Sequence, residues 1–386
     1  MSKWEMVKLK NVAMRKLEYG SGASAIEYDG GIRYIRITDI DYAGRLGNDP
    51  VSPSIMEEKY ILEEGDILFA RSGATVGKTF LYHKVDGFCI FAGYLIRFVP
   101  NKQVVNPKYV YYYTRSSCYQ SFVESNKRVV AQPNINAQQY SELEIPLPPL
   151  ETQKQIAKTL DTAAELLAMR KQQLAELDKL IKSEFYDMFG DPITNEKRWA
   201  VNTLDDVCDK ITDGTHQTPE YSDEGYIFIS SKNVTSGAID WDNIKYIPEH
   251  LHKELYKRLS PQMNDILLAK NGTTGVAAIV NRDCIFNIYV SLALLRPNSR
   301  VNPIYLLKAI NSDACKYQFD KSLKGIGVPN LHLNSIKKVK LLVPPLPLQT
   351  QFASIVTKIE EQKALVKKAI DETQHLFDSL MSEYFD

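Results

Sequence analysis

The chain has 386 residues, a hydrophobic fraction of 44%, and 47 basic side chains balanced by 47 acidic ones. That length suits two domains, the apolar fraction excludes a disordered chain, and neutrality excludes a protein that grips nucleic acid by bulk charge. No window reaches the ~18 apolar residues of a membrane span and MSKWEMVKLK lacks a signal-peptide core, so a cytoplasmic protein without membrane contact is expected.

From the N-terminus, the runs Tyr34–Ile37, Ile67–Ala70 and Tyr94–Val99, rich in β-branched and aromatic residues, predict short strands. Asn106 and Pro107 predict a helix start, with asparagine as N-cap and proline in the first turn. The prolines of IPLPPL (145–150) forbid helix continuation and mark a boundary. Beyond it Ile156, Leu160, Ala163, Leu167, Arg170, Leu174, Leu177 and Ile181 recur at alternating spacings of three and four, which predicts a long helix with a coiled-coil seam. Strands are predicted again at Tyr226–Ile229 and Ile266–Ala269, a helix start at Asn302 and Pro303, and a stop at VPPLPL (343–348). The last helix carries a second stripe of Phe352, Ile355, Ile359, Gln362, Val366, Ala369, Thr373, Leu376 and Leu380.

These elements recur because the chain is written twice, at an offset of about 194 to 199 residues. LKNV (9–12) matches LDDV (204–207), GIRYIRITDI (31–40) matches GYIFISSKNV (225–234), and DILFARSGATVG (66–77) matches DILLAKNGTTG (265–275). VNPKYV (105–110), QPNIN (132–136), LPPLETQKQIA (147–157) and SEFYD (183–187) are answered by VNPIYL, VPNLH, VPPLPLQTQFA and SEYFD. The simplest closure is an antiparallel pair of long helices with pseudo-twofold symmetry. The boundaries read from this grammar are 1–146, 147–190, 191–343 and 344–386.

Catalytic signatures fall short. SGATVGKT (72–79) approaches a phosphate-binding loop, but only three residues separate Gly73 from Gly77, and NGTTGV (271–276) has no lysine. Asn106-Pro107-Lys108-Tyr109 and Asn302-Pro303-Ile304-Tyr305 nearly spell the Asn-Pro-Pro-Tyr motif of amino-methyltransferases, yet both lack its second proline. His250 and His252 have no further ligand at zinc spacing and read as a solvated turn; no metal site is expected. Cys89, Cys118, Cys208, Cys284 and Cys315 include no CxxC pair and read as small buried residues.

What remains is a set of loops rich in groups that read base edges. The first copy offers Arg36, Thr38 and Asp39, then Arg71, Ser72, Thr75 and Lys78. The second offers Ser230, Lys232 and Asn233, then Lys270, Asn271, Thr273 and Thr274. Charge or amide type differs at equivalent positions, as expected of two readers on one scaffold.

GDILFARSGATVGK (65–78), GIRYIRITDI (31–40), TDGTHQTP (212–219) and PLPPLETQKQIAKTLD (146–161) together resemble type I restriction-modification specificity subunits over essentially the whole chain. The resemblance implies an α+β fold: two target-recognition domains of mixed, barrel-like sheet with small helices, joined by two long antiparallel coiled-coil helices. It implies a non-catalytic subunit that binds double-stranded DNA at a bipartite, asymmetric target. The implied partners are two modification subunits that use S-adenosylmethionine and restriction subunits that use ATP and Mg, with no cofactor in this chain. Two alternatives are a coiled-coil scaffold that binds only proteins and a nucleotide-dependent enzyme built on residues 72–79.

Overall fold

A computed structural model describes residues 4–127, 133–323 and 330–386 of the chain. Gln132, Val328 and Pro329 of the QPNIN and VPNLH match lie outside the described residues. Contacts divide the chain into two compact units, Met1–Gln172 with Lys367–Asp386, and Gln173–Val366. The division falls inside the two long helices, so each unit holds a strand-rich portion and a stretch of both helices.

The first unit contains β1 (Met6–Lys8), β2 (Glu18–Tyr19), β3 (Ala25–Glu27), β4 (Arg33–Ile35), β5 (Val51–Pro53), β6 (Ile67–Ala70), β7 (Thr79–Leu81), β8 (Cys89–Phe91) and β9 (Leu95–Phe98). There follow α1 (Pro107–Tyr113), α2 (Ser117–Lys127), α3 (Ala137–Ser141), β10 (Glu144–Pro146) and the long α4 (Leu150–Phe189). The second unit contains β11 (Ala200–Thr203), β12 (Cys208–Asp213), β13 (Tyr226–Ile229), β14 (Lys245–Ile247), α5 (Glu249–Arg258), β15 (Ile266–Ala269), β16 (Ala277–Ile279), β17 (Phe286–Ile288) and β18 (Leu292–Pro297). After them come α6 (Pro303–Ile310), α7 (Asp313–Ser322), α8 (Leu333–Lys337), β19 (Lys340–Val343) and the long α9 (Leu346–Phe385).

The sheet topology is the same twice. An antiparallel sheet has the order β2-β9-β6-β7 in the first unit and β12-β18-β15-β16 in the second. A smaller sheet holds the parallel pair β4 and β8, answered by β13 and β17. The strand leading into each long helix closes antiparallel on the unit's first strand, β10 on β1 and β19 on β11. These sheets are open and separate, so the barrel-like expectation gives way to small sheets folded around shared cores.

The central strands β6 and β15 are buried along their whole length. Alternate residues face opposite ways. Ile67 and Phe69 join Tyr109, Tyr119, Ile156, Leu160, Met381 and Phe385, while Leu68 and Ala70 join Ile35 and Phe91. In the second unit Ile266 and Leu268 meet Tyr305, Phe185, Phe189 and Phe352, while Leu267 and Ala269 meet Ile229 and Trp241. Sheets covered on both faces explain why these strands read as continuous apolar runs.

Both predicted helix starts are present. Asn106 accepts from the Tyr109 N–H, Asn302 accepts from the N–H groups of Ile304 and Tyr305, and a proline follows each cap. The residue that fastens each long helix is a fully buried glutamine one turn beyond the proline stop. Gln153 accepts from the Asn106 N–H (2.8 Å) and donates to the carbonyls of Pro148 (2.8 Å) and Val104 (3.2 Å). Gln349 repeats the set with Asn302 (2.8 Å), Pro344 (2.7 Å) and Arg300 (3.3 Å).

Within each unit the α4 and α9 segments run antiparallel. Phe185 and Phe189 meet Phe352 and Asp178 meets Lys363 in the second unit; Arg170 meets Ala369 and Thr373 in the first. Of the expected seam, Ile156, Leu160, Ile181, Phe352, Ile359 and Val366 are buried, and Leu167, Leu174 and Leu177 are half-buried. Leu376 is corrected: it is 52% exposed, Gln362 is exposed as well, and Val356, Lys363, Phe377 and Met381 occupy the inward positions. A straight α-helix drifts against a strict 3.5-residue period. From Thr373 the inward positions of α9 advance by four, to Phe377, Met381 and Phe385, which turns Leu376 to solvent.

Candidate nucleic-acid interface

In each unit four segments distant in sequence meet where the central strand ends. In the first, the Arg71 N–H donates to the Tyr94 carbonyl (3.1 Å), the Ile135 N–H donates to the Arg71 carbonyl (2.9 Å), and Ser72 bridges to Asn134. In the second, the Lys270 N–H donates to Ser291 (2.8 Å), the Leu331 N–H donates to Lys270 (3.0 Å), and Asn271 bridges to Asn330. The fourth segment crosses here on a glycine. A Cβ at Gly20 would lie 2.3 Å from the Phe91 carbonyl oxygen, and one at Gly214 would lie 2.0 Å from that of Ile288.

The structure sorts the expected DNA-reading residues by what else they hold. Arg36 and Asp39 pair with each other at 2.8 Å, and the same carboxylate accepts the Arg36 N–H, so this pair closes its own turn. Thr38 stands exposed beside it. Arg71 lies over the Tyr19 ring, 4.6 Å from the centroid, with Nε 3.4 Å from Asn134 Oδ1. Thr75 donates to the Ser72 carbonyl at 2.9 Å, which shapes the loop. Lys78 donates to the Ile40 carbonyl (3.0 Å) and covers the Tyr42 ring.

In the second unit Ser230 and Asn233 form a capping box, and buried Asn233 also donates to the Asn243 carbonyl at 2.9 Å. Lys232 and Thr273 are exposed; Asn271 and Thr274 are half-buried. Lys270 is only 5% exposed and lies 2.7 Å from Asp213. Lys270 and Asn233 are therefore corrected from base readers to internal structural groups, because both are buried and bonded within their own unit, whereas Arg36 and Asp39 pair with each other at a turn where the Arg36 side chain is partly exposed. Tyr19, Tyr94, Asn134 and Asp213 complete the junctions and were not anticipated. The signal for Tyr19 and Asp213 lay in the match of Tyr19-Gly20-Ser21 with Asp213-Gly214-Thr215, between the longer repeats.

Residues 72–79 do not form a phosphate cradle. A strand, β7, follows the loop where a helix N-terminus is needed, and the Thr79 hydroxyl is buried against that of Thr114 at 2.7 Å. His250 and His252 lie on α5 rather than on a turn. His252 is buried, stacked on Tyr226 with ring centroids 3.8 Å apart and Nδ1 2.7 Å from Asn287 Oδ1. Cys89, Cys208 and Cys315 are buried, and burial pushes their thiols up to about 11, about 12 and about 12, which keeps them protonated; Cys118 is exposed, contrary to expectation.

The profile of the type I restriction modification DNA specificity domain matches residues 1–179 and again 196–374. The chain belongs to that family. A type I restriction enzyme specificity subunit of Methanocaldococcus jannaschii, MjaVIII, is 23% identical over 348 residues, covering 85% of this chain and 80% of its own length. The EcoKI specificity subunit of Escherichia coli K12 is 22% identical over 364 residues, covering 87% and 77%. Among solved structures, the S subunit of M. genitalium covers 100% of this chain and 96% of its own, with a TM-score of 0.62 at 17% identity. Members of this specificity family bind DNA and assemble with methyltransferase and restriction subunits, which carry the catalytic activities. This chain is accordingly a non-catalytic specificity subunit, and neither a nucleotide-dependent enzyme nor a purely protein-binding scaffold is favoured. No helix among the described residues is long and apolar enough to cross a membrane.

The Asp213 carboxyl illustrates how the second junction is held. Burial pushes it up, but the Lys270 ammonium and His216 more than offset this and leave it below the ordinary carboxylate value. A depressed folded pKa adds stability above the unfolded value of about 3.9, and that stability is lost as pH falls through the folded value. Urea unfolding of Asp213→Asn between neutral pH and pH 3 is expected to show a shallower acid limb than wild type. Parallel acid limbs would mean that this carboxylate is not held ionised by its partners.

Proposed function

We propose that this specificity subunit recognises a split, non-palindromic DNA target, each unit reading one half-site with its strand-end junction. The observation that carries this is one junction frame built twice with different side chains: Arg71 over Tyr19 beside Ser72 and Tyr94 in the first unit, and the buried Lys270–Asp213 pair holding the frame beside Asn271 and Ser291 in the second. Equivalent backbone frames with different polar groups suit two readers of different sequences. The long helices, each 40 residues and so about 60 Å, would set the gap between half-sites. Major grooves on one face recur about every 10 to 10.5 base pairs, so half-sites of about three to five pairs leave about five to seven unread.

On this reading two modification subunits dock to one specificity chain. They bring S-adenosylmethionine and methylate an adenine extruded from each half-site. Restriction subunits would bring ATP and Mg. The test is methylation mapping in cells that carry the assembled enzyme, with and without one heptad inserted into both α4 and α9. The expected motif is split, with a wider gap and unchanged half-sites after insertion. A continuous motif, or half-sites that change with helix length, would overturn the proposal.

A further inference from the structure

The two junctions correspond residue by residue. Tyr19 pairs with Ile96 on β9 and Asp213 pairs with Ala293 on β18; each precedes the crossing glycine, whose N–H bonds Leu95 or Leu292. On the other flank Ala70 pairs with Leu95 and Ala269 with Leu292, so Arg71 and Lys270 begin the equivalent loops. The same two positions thus hold a cation over an aromatic ring at 4.6 Å in one unit and an ion pair at 2.7 Å in the other.

The two solutions leave different charge at the surface. A tyrosine face positions a guanidinium without neutralising it. Arg71 therefore keeps its charge; only Nε is engaged, and its terminal nitrogens have no partner among the described residues. It lies beside Tyr94, which is 62% exposed. An aspartate instead cancels the cation. The Lys270 and Asp213 side chains are 7% and 10% exposed, and Arg258 donates to the Asp213 carbonyl at 2.9 Å, which seals the pair further. His216, three residues beyond Asp213, has Nε2 3.3 Å from Asp213 Oδ1 while its side chain is 73% exposed, and Gln217 beside it is exposed too.

We infer that Arg71, held flat on Tyr19, is a specificity-determining DNA contact of the first unit, whereas Lys270 is a positioning residue that fastens the loop at 214–219 through Asp213. Readout in the second unit passes to that loop, to His216 and Gln217. This rests on the reading of the junctions as DNA-facing. An arginine fork offers two donors to the acceptor edge of guanine, while a glutamine amide suits adenine. Two copies of one scaffold would then read different sequences by changing which flank of the junction carries the free polar group.

The test is binding of the assembled chain and modification subunits to cognate and scrambled duplexes over a series of salt concentrations. Arg71→Ala is expected to weaken cognate binding about tenfold or more, and scrambled binding less. Tyr19→Asp, which supplies the carboxylate found in the other unit, should cause a comparable loss with Arg71 still present. Lys270→Gln, which unfastens the loop at 214–219, should weaken cognate binding without lowering its salt slope, because the Lys270 ammonium meets Asp213 and no phosphate, and Gln217→Ala should lose about tenfold. Lys270→Arg, which keeps the ion pair with Asp213, should restore the affinity that Lys270→Gln loses. The assignment is overturned if Arg71→Ala leaves cognate affinity unchanged, if Tyr19→Asp does so, or if Lys270→Gln lowers the salt slope as much as Arg71→Ala does. A wild-type complex that binds both duplexes equally would instead count against sequence recognition itself.

Discussion

Phe352→Ala is expected to destabilise the second unit by about 3 to 5 kcal/mol, the range for truncating a large aromatic in a core that cannot collapse. Phe352 is fully buried. Its ring centroid lies 5.2 Å from Phe189, 5.7 Å from Phe185 and 6.4 Å from Tyr305. It therefore joins three elements, α4, α6 and α9, through edge-on aromatic contacts worth more than their area alone. The two long helices and α6 are each held by other contacts, so the vacated space cannot be refilled by a small shift. Leu376→Ala is the matched control: on the same helix but half exposed, it should change stability by less than about 0.5 kcal/mol. Urea unfolding followed by circular dichroism, with hydrogen exchange across residues 303–310 to locate the loss, decides the matter. Equal costs at the two positions would mean that Leu376 lies in the seam after all.

Gln153→Ala and Gln349→Ala are expected to cost about 2 to 4 kcal/mol each, although both remove a polar side chain from a helix in which alanine is the better former. Each glutamine is wholly buried and makes three hydrogen bonds, one accepted and two donated. Truncation leaves a partly buried N–H on the capping asparagine and a buried proline carbonyl without partners, and buried orphans cost about 1 to 3 kcal/mol apiece. Glutamate cannot rescue, since it lacks the donors and would bury a charge. The two glutamines share no partner, so the double variant should lose the sum. Thermal melts of the full chain test this; a single alanine variant within about 0.5 kcal/mol of wild type would show that the proline stop is held by something else.

The legibility of this chain divides along the range of the forces involved. The strands Ile67–Ala70 and Ile266–Ala269 are readable to the residue, because burial on both faces writes an uninterrupted apolar run; Tyr226–Ile229, half-buried at its first two residues, is readable from its aromatic and β-branched content. The asparagine caps were readable because an N-cap and the proline after it are neighbours in sequence. The seam of α4 was readable too, but α9 shows the limit: a stripe of mixed spacing admits two phases, and packing against the unit's core selects the one that turns Phe377 inward and Leu376 outward.

The candidate site was less legible than the frame that carries it. Arg71 and Lys270 look interchangeable in sequence, each following the same strand, and both were expected to meet DNA. Whether such a cation is free depends on a residue more than fifty positions away: Asp213 consumes Lys270, and Tyr19 leaves Arg71 charged. His252 follows the same rule: it lies on α5, and Tyr226 and Asn287, which bury it, come from the strands β13 and β17. The duplication, the proline stops, the caps and the two long helices are legible in one dimension, because each is set by local backbone chemistry or by the repeat itself. Only the tertiary structure decided the sheet pairing, the phase of the last helix and the fate of each polar group, because those depend on which distant side chain arrives to solvate, neutralise or cover it.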